Sequence, residues 1–557
     1  MASPRKNLVL PHAVLLLLAT ALSPEAFGRD ATPATAAHAP AFQLSDRCLA
    51  CHNGLTTRSG QDVSIGFDWR ASIMANSARD PYWQASVRRE SIDHPESAAV
   101  IEDECASCHM PMSRYHAKAR GERGQVFAHL ASPPASDSDH EALDGVSCSL
   151  CHQISPQNLG TDASFNGGFV VAAPAGAVPR PEFGPFDIDA GLQQVMRSSS
   201  GGYEPTRADH IRQSEICASC HTLRTNALGP DGRVVGSLPE QMPYQEWLHS
   251  SYSGQQSCQS CHMPVVAEPI AISRVLGEPR TGVSRHVFVA ANFFMQRMLN
   301  RYRDDLGVSA QPAELTAAAD RTVAYLQSQA ARVAISETAL RAGRAEFQVR
   351  VENLSGHRLP TAYPSRRAWL HVVVADRDGH KLFESGALNA DGSIQGNDAD
   401  ADPARFEPHY REIRSADQVE IYEAVLRDTA GRATTALLSA TGYLKDNRLL
   451  PHGFDKTTAD PEIAVVGEAA TDAAFTDTGH AVRYSIDAAQ AAGPLQIDAE
   501  LLYQPIGYRW AHNLGPYAAA EPRRFVGYFE AMKSESAVAL SHASAVLPST
   551  DCFALRR

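Results

Sequence analysis

The chain has 557 residues, a formal charge of −13 and 44% hydrophobic residues. That length suits two or three domains. The acidic balance argues against nucleic acid as a partner and leaves room for steering toward a basic redox partner.

At the N-terminus, Arg5 and Lys6 precede an apolar run, Ala13 to Leu22, and Ala26-Phe27-Gly28 has the small-x-small form of a cleavage site. This is the pattern of a secretory signal peptide over residues 1–28. The run is too short to span a bilayer comfortably, and no second long apolar run follows. The expected mature protein is exported, periplasmic or extracellular, with no stable membrane span. Residues 29–45 are rich in Ala, Pro and Thr in their first part and read as a flexible leader.

Five Cys-x-x-Cys-His motifs come next: Cys48-Cys51-His52, Cys105-Cys108-His109, Cys148-Cys151-His152, Cys217-Cys220-His221 and Cys258-Cys261-His262. The pattern is the covalent attachment site of c-type haem: two thiols add to the porphyrin and the adjacent His reaches its iron. Zinc ribbons use CxxC units in pairs, and five is odd; redox CxxC motifs do not require a His after each second Cys. Five covalently attached haems are therefore expected. They use ten of the eleven cysteines and leave Cys552 as a free thiol near the C-terminus. The intervals between motifs are unequal, so this is no solenoid of equal repeats. The text between them is rich in Gly, Pro and Ser, as in Asn166 to Pro185, which predicts short helices and loops around porphyrin.

After residue 262 the pattern changes. Pro312 suits a first helical position, and Leu315, Ala319, Val323, Leu326, Ala330 and Val333 recur at helical steps. The period then becomes two: Phe347, Val349 and Val351; Leu370, Val372 and Val374 before a turn at Asp378-Gly379; Val419 and Ile421 before a turn at Gly431; and Leu495 through Tyr503. Alternating strands between turn signals predict an antiparallel sandwich. Residues 523–540 read as a last helix or strand. The expected fold is thus multidomain: a mostly α or irregular multihaem cytochrome c domain over 46–300, a connecting amphipathic helix over 301–335, and a β-sandwich-like domain with a C-terminal extension over 336–557.

Each motif His supplies one axial ligand; the opposite face of each iron decides its chemistry. Met110 and Met263 follow motif histidines directly and cannot reach round to the same iron. His140, His210, His286 and His357 are the leading candidates for the second position, with His249, His116, His94 and His129 behind them. His371, His380, His409, His452, His480 and His512 are expected to be structural. Asp398, Asp400 and Asp402 make calcium a weaker cofactor candidate beside the reading of a solvated acidic loop.

Ser72 to Trp83 (SIMANSARDPYW), Leu143 to Ile154 (LDGVSCSLCHQI), Cys258 to Pro264 (CQSCHMP) and Gly356 to Thr361 (GHRLPT) resemble text of the multihaem cytochromes c related to hydroxylamine oxidoreductase and its tetrahaem acceptor cytochrome, including members with a β-rich C-terminal domain. The resemblance implies closely packed haems, most with two His ligands, that relay electrons. The chain has fewer motifs than the oxidoreductase and no recognisable counterpart of its cross-linking tyrosine, so catalysis is not implied. The expected function is electron relay between redox partner proteins or a quinol-linked membrane donor and an acceptor. The alternative is an oxidoreductase with one open haem acting on a small nitrogen or sulfur compound, with Arg114, Tyr115 and His116 as a conceivable polar pocket. A third reading gives the β-rich part a docking role.

Overall fold

The computed structural model describes residues 41–172, 179–229 and 231–548. The signal segment, the leader up to residue 40 and Cys552 lie outside the described residues. Ten strands build the two main sheets of the C-terminal half, beside a smaller three-stranded sheet over residues 424–446: β1 (Ala331–Arg341), β2 (Arg344–Asn353), β3 (Arg367–Ala375), β4 (Lys381–Ser385), β5 (Glu412–Ile413), β6 (Ile421–Tyr422), β7 (Phe475–Thr476), β8 (Gly479–Asp487), β9 (Leu495–Gln504) and β10 (Val538–Leu547).

They form two five-stranded sheets. One runs β4-β3-β9-β10 with β6 on β3; the other runs β5-β8-β2-β1 with β7 on β8. All pairings are antiparallel except β5 with β8. In β2 and β9, buried and half-buried residues alternate along the whole strand, so the period-two pattern marks one face as core. The register places Val482 beside Val349 and Tyr484 beside Phe347 in one sheet, and Ile497 beside Val374 and Leu501 beside Leu370 in the other. These side chains share a single buried cluster, and a sandwich is the way two such faces leave water together. The β1–β2 hairpin turns through Ala342 (φ +49°) and Gly343 (φ +76°), the two left-handed positions of a type I′ turn.

Helices cover the sandwich. The Pro312–Gln329 helix starts at Pro312 and carries a capping box between Gln311 and Glu314, which satisfies its first free N–H groups. It ends before Val333, which the helical steps had included; Val333 faces inward from β1 and pairs with Val351. Residues 523–540 hold both alternatives in turn, a helix over Ala520–Met532 and then the start of β10. Phe525 and Phe529 occupy one face of that helix and are fully buried; each contributes on the order of 1.5–3 kcal/mol by leaving water.

The motif-bearing half does not stand apart. The described residues pack as one compact unit. Tyr82, Phe293, Phe294 and Met298 from the first half belong to the same buried cluster as the strands. Arg88 on the Pro81–Asp93 helix makes a two-pronged ion pair with Glu521, at 2.9 Å through each nitrogen. The end of the expected leader is also fixed: Ala41 and Phe42 are buried, and Ser45 gives Asp144 both its backbone N–H and its hydroxyl.

The acidic run at 398–402 is neither a solvated loop nor an oxygen cage. Asp400 accepts both guanidinium nitrogens of Arg367, at 2.8 and 2.9 Å, and the backbone N–H of Ile394. Asp398 pairs with Arg405. Carboxylates committed in this way have few lone pairs left for calcium.

Candidate cofactor cavity

Each motif lies on or at the end of a short helix: Ser45–Leu49, Ala98–His109, Cys148–Cys151, Ser214–His221 and Cys258–His262. On a helix, positions i, i+3 and i+4 share a face. The CxxCH spacing therefore points both thiols and the imidazole the same way. All ten motif cysteines and all five motif histidines line one cavity of about 1660 Å³. None of these cysteines is in a disulfide.

Four of the five motif imidazoles are held by the same device. His52, His109, His152 and His262 donate Nδ1–H to the backbone carbonyls of Ile272 (2.6 Å), Ser77 (2.9 Å), Phe183 (2.5 Å) and Val289 (2.5 Å). This fixes the tautomer and turns a bare Nε2 to the cavity, the arrangement that orients a metal-ligating histidine. Burial pushes His109 and His221 down to about 4. These imidazoles stay neutral, as a metal ligand must.

Two further imidazoles line the same cavity. His286 faces His152 with ring centroids 6.3 Å apart and planes 20° from parallel. His357 faces His262 at 6.2 Å and 13°. Two imidazoles bound through nitrogen to opposite faces of one metal, with bonds of about 2 Å, hold their centroids roughly 6 Å apart. Both pairs have that spacing. His357 comes from the loop leaving β2. Its carbonyl accepts from Asn353 and Ser355, and its Nδ1 donates to the Arg358 carbonyl at 2.9 Å.

The structure brings together two of the four leading distal candidates. His210 instead donates Nε2–H to the Ile154 carbonyl at 2.8 Å, and His140 is exposed on a surface helix; neither lines the cavity. The other candidates are also engaged elsewhere: His116 by the Ala41 N–H and Glu141, His129 by Asp139, His249 by the Asp455 carbonyl, and His94 by the Ser439 hydroxyl at 3.4 Å. Arg114 is paired with Asp103. Of the conceivable Arg114-Tyr115-His116 pocket, only Arg114 lines the cavity.

Thiols of different motifs lie near one another. Cys48 and Cys148 perturb each other, as do Cys108 and Cys220, and Cys217 and Cys258. Cys151 sits close enough to Cys217 and Cys220 to act on both electrostatically. Motif one thus adjoins three, three adjoins four, and four adjoins both two and five. Sequence order does not show this adjacency.

Polar side chains that the sequence did not announce also line the cavity: Arg366, Tyr82, Tyr363 and Glu90. Arg366 acts on His221 electrostatically, and Tyr82 and Tyr363 meet edge-on at 5.8 Å. Burial pushes Glu90 up to about 7.

The donor set fits covalent haem. Paired thiols sit on one helical face with a neutral imidazole beside them. The Glu182 Oε2, buried on the cavity wall, has no protein partner. Protein interiors hold few voids larger than a water molecule, so a cavity of this size is shaped for prosthetic groups. The fold resembles that of a solved structure, the crystal structure of a penta-heme cytochrome c552 from Thermochromatium tepidum, at a TM-score of 0.52 and 17% sequence identity, covering 91% of this chain and 100% of that one. No protein-family model and no curated protein matches the chain.

Proposed function

We propose that this chain is an exported pentahaem c-type cytochrome that relays electrons between redox partners. The observation that carries the reading is the shared cavity: five attachment motifs open into it and each adjoins another through its thiols. The ten thiols would hold five haems, and haem supplies an iron that changes charge by one electron with little rearrangement when both axial positions are filled. The His152–His286 and His262–His357 pairs would fill both positions of two irons. The fold shared with a penta-heme cytochrome supports the reading, and the sequence phrases resembling the hydroxylamine oxidoreductase relatives agree with it. Among the described residues no helix is long and apolar enough to cross a membrane. The partners proposed are soluble redox proteins or a quinol-linked membrane donor.

The test is direct. Pyridine haemochrome analysis against protein mass should give five haems per chain, and stepwise reduction should show several overlapping one-electron transitions. Fewer than five haems, or haems that fail to exchange electrons within one molecule, would sink the proposal.

The polar lining of Arg366, Tyr82, Tyr363 and Glu90 favours a second reading, an oxidoreductase with one open haem acting on a small nitrogen or sulfur compound. Arg366 would offset an anionic substrate and the tyrosines would offer hydroxyls. Assays with hydroxylamine, nitrite, sulfite and tetrathionate decide it; no turnover on any of the four rejects it.

A further inference from the structure

Away from the haem cavity, three side chains converge in the dry interior of the β-rich half. His409 precedes β5, Asp472 follows the short helical turn Glu468–Thr471, and His480 lies on β8. Their side chains are 1%, 5% and 0% exposed. One ligand atom from each lies within 4.8 Å of the others. The Asp472 Oδ2 is 3.1 Å from His409 Nε2 and 3.4 Å from His480 Nε2. None of the three lines the haem cavity.

The far side of each ring is already tied down. His409 Nδ1 lies 2.9 Å from the Glu420 carboxylate, and His480 Nδ1 lies 3.0 Å from the Tyr422 hydroxyl. Glu420 is itself held by the Tyr410 N–H and the Asn447 amide. An imidazole backed by a carboxylate through one nitrogen and presenting the other is the outer-shell pattern of metal-ligating histidine. The presented nitrogen of His480 is buried, and among the described residues its nearest polar neighbour is the Asp472 carboxylate at 3.4 Å, out of line for a good hydrogen bond. Phe475 closes the site, with its ring edge-on to both imidazoles at 5.3 and 5.5 Å.

Charge points the same way. Glu420 and Asp472 are two buried carboxylates facing two imidazoles. Arg411 reaches only to 3.8 Å of Asp472 Oδ1, and Lys445, paired with Glu423 at 3.3 Å, acts on Glu420 only through space. Buried charge is costly unless it is closely paired, and a dication between the two Nε2 atoms and Asp472 would complete the balance of the two carboxylates.

We propose that His409, His480 and Asp472 bind one divalent transition-metal ion, zinc foremost, that pins β8 to the loops carrying His409 and Asp472. Two imidazole nitrogens and one carboxylate oxygen are zinc donors, and bonds of about 2.0–2.2 Å at tetrahedral angles set ligand atoms roughly 3.3 Å apart. The 3.1 and 3.4 Å separations match that figure. An ion that binds only the folded chain raises its stability by mass action.

The experiment uses the holoprotein. Element analysis should find one zinc per chain besides the haem iron. His480→Gln and Asp472→Asn should lose that zinc while the pyridine haemochrome count stays unchanged. For the wild type stripped with a chelator, adding zinc chloride should raise Tm by a few degrees, and the same addition to His480→Gln should not. If the protein as isolated holds no metal beyond haem iron, and zinc, manganese(II) and iron(II) all leave the Tm of the stripped wild type unmoved, the proposal is overturned. A wrong haem count would fall on the electron-relay reading and leave this site untouched.

Discussion

The imidazoles of His262 and His357 stand 6.2 Å apart and within 13° of parallel, although one ends a motif helix and the other leaves a strand of the sandwich. The sheet therefore supplies half of the environment of the last motif. Replacing His357 by Ala should leave that iron with one protein ligand, and about one fifth of the haem should turn high-spin. Electron paramagnetic resonance of the oxidised protein reads this directly; an unchanged low-spin spectrum would remove His357 from the site.

His286 poses the same question for the third motif, and its ring is 6.3 Å from that of His152. His286→Ala should add a second high-spin centre of similar size. The His286→Ala, His357→Ala double variant should show the sum, because the two pairs share no imidazole and distant sites act independently. A spin change clearly smaller or larger than the sum would mean that one ligand can take the other's place.

The five motifs that line the cavity could be read from the sequence, because a CxxCH pattern fixes both residue type and spacing. The sequence also carried the main strands of the sandwich, because burial on one face forces a period of two, as β2 and β9 show. It failed where the determinant is three-dimensional. His140 and His210 lie close to motif cysteines in the chain, but proximity along a chain does not aim a ring: His210 is drawn to the Ile154 carbonyl instead. His409 and His480 looked structural because nothing in their spacing brings them to Asp472. Val333 continued a helical pattern by coincidence, since a residue four after the helix end at Gln329 can face the same core from a strand.

Two buried acids should give the protein an unusual pH profile. Burial pushes Asp80 up to about 6 and Glu90 up to about 7. Each therefore holds its proton longer in the folded than in the unfolded chain, so stability falls as pH rises from about 4 through 7, by on the order of 3 kcal/mol for each group. Glu90→Gln and Asp80→Asn should flatten that fall. The Asn keeps the cap on the helix that begins at Pro81, where Asp80 accepts the N–H groups of Tyr82 and Trp83. Urea midpoints at about pH 5 and about pH 8 test this. Equal slopes in wild type and variants would show that neither acid is protonated in the fold.

The loop that presents His357 is fastened by a buried ionic network. Arg358 is 0% exposed and reaches Asp446 Oδ2 at 2.6 Å. Arg448 holds both oxygens of Asp446 at 2.8 Å and one oxygen of Glu246 at 3.0 Å. Glu246 accepts in turn from the Arg358 N–H and the Thr361 hydroxyl. Two guanidinium groups thus balance two carboxylates out of water. Removing one partner leaves an uncompensated buried charge, which costs about 3–5 kcal/mol. Asp446→Asn should lower the unfolding free energy from urea titration by that amount, and so the urea midpoint, and it should also free the His357 loop enough for part of one haem to turn high-spin. Built into His357→Ala, the same change should lower the midpoint again yet add nothing to the high-spin signal, because both substitutions would act on one iron. A further high-spin increase in that double variant would show that the network supports a different iron from the one His357 faces.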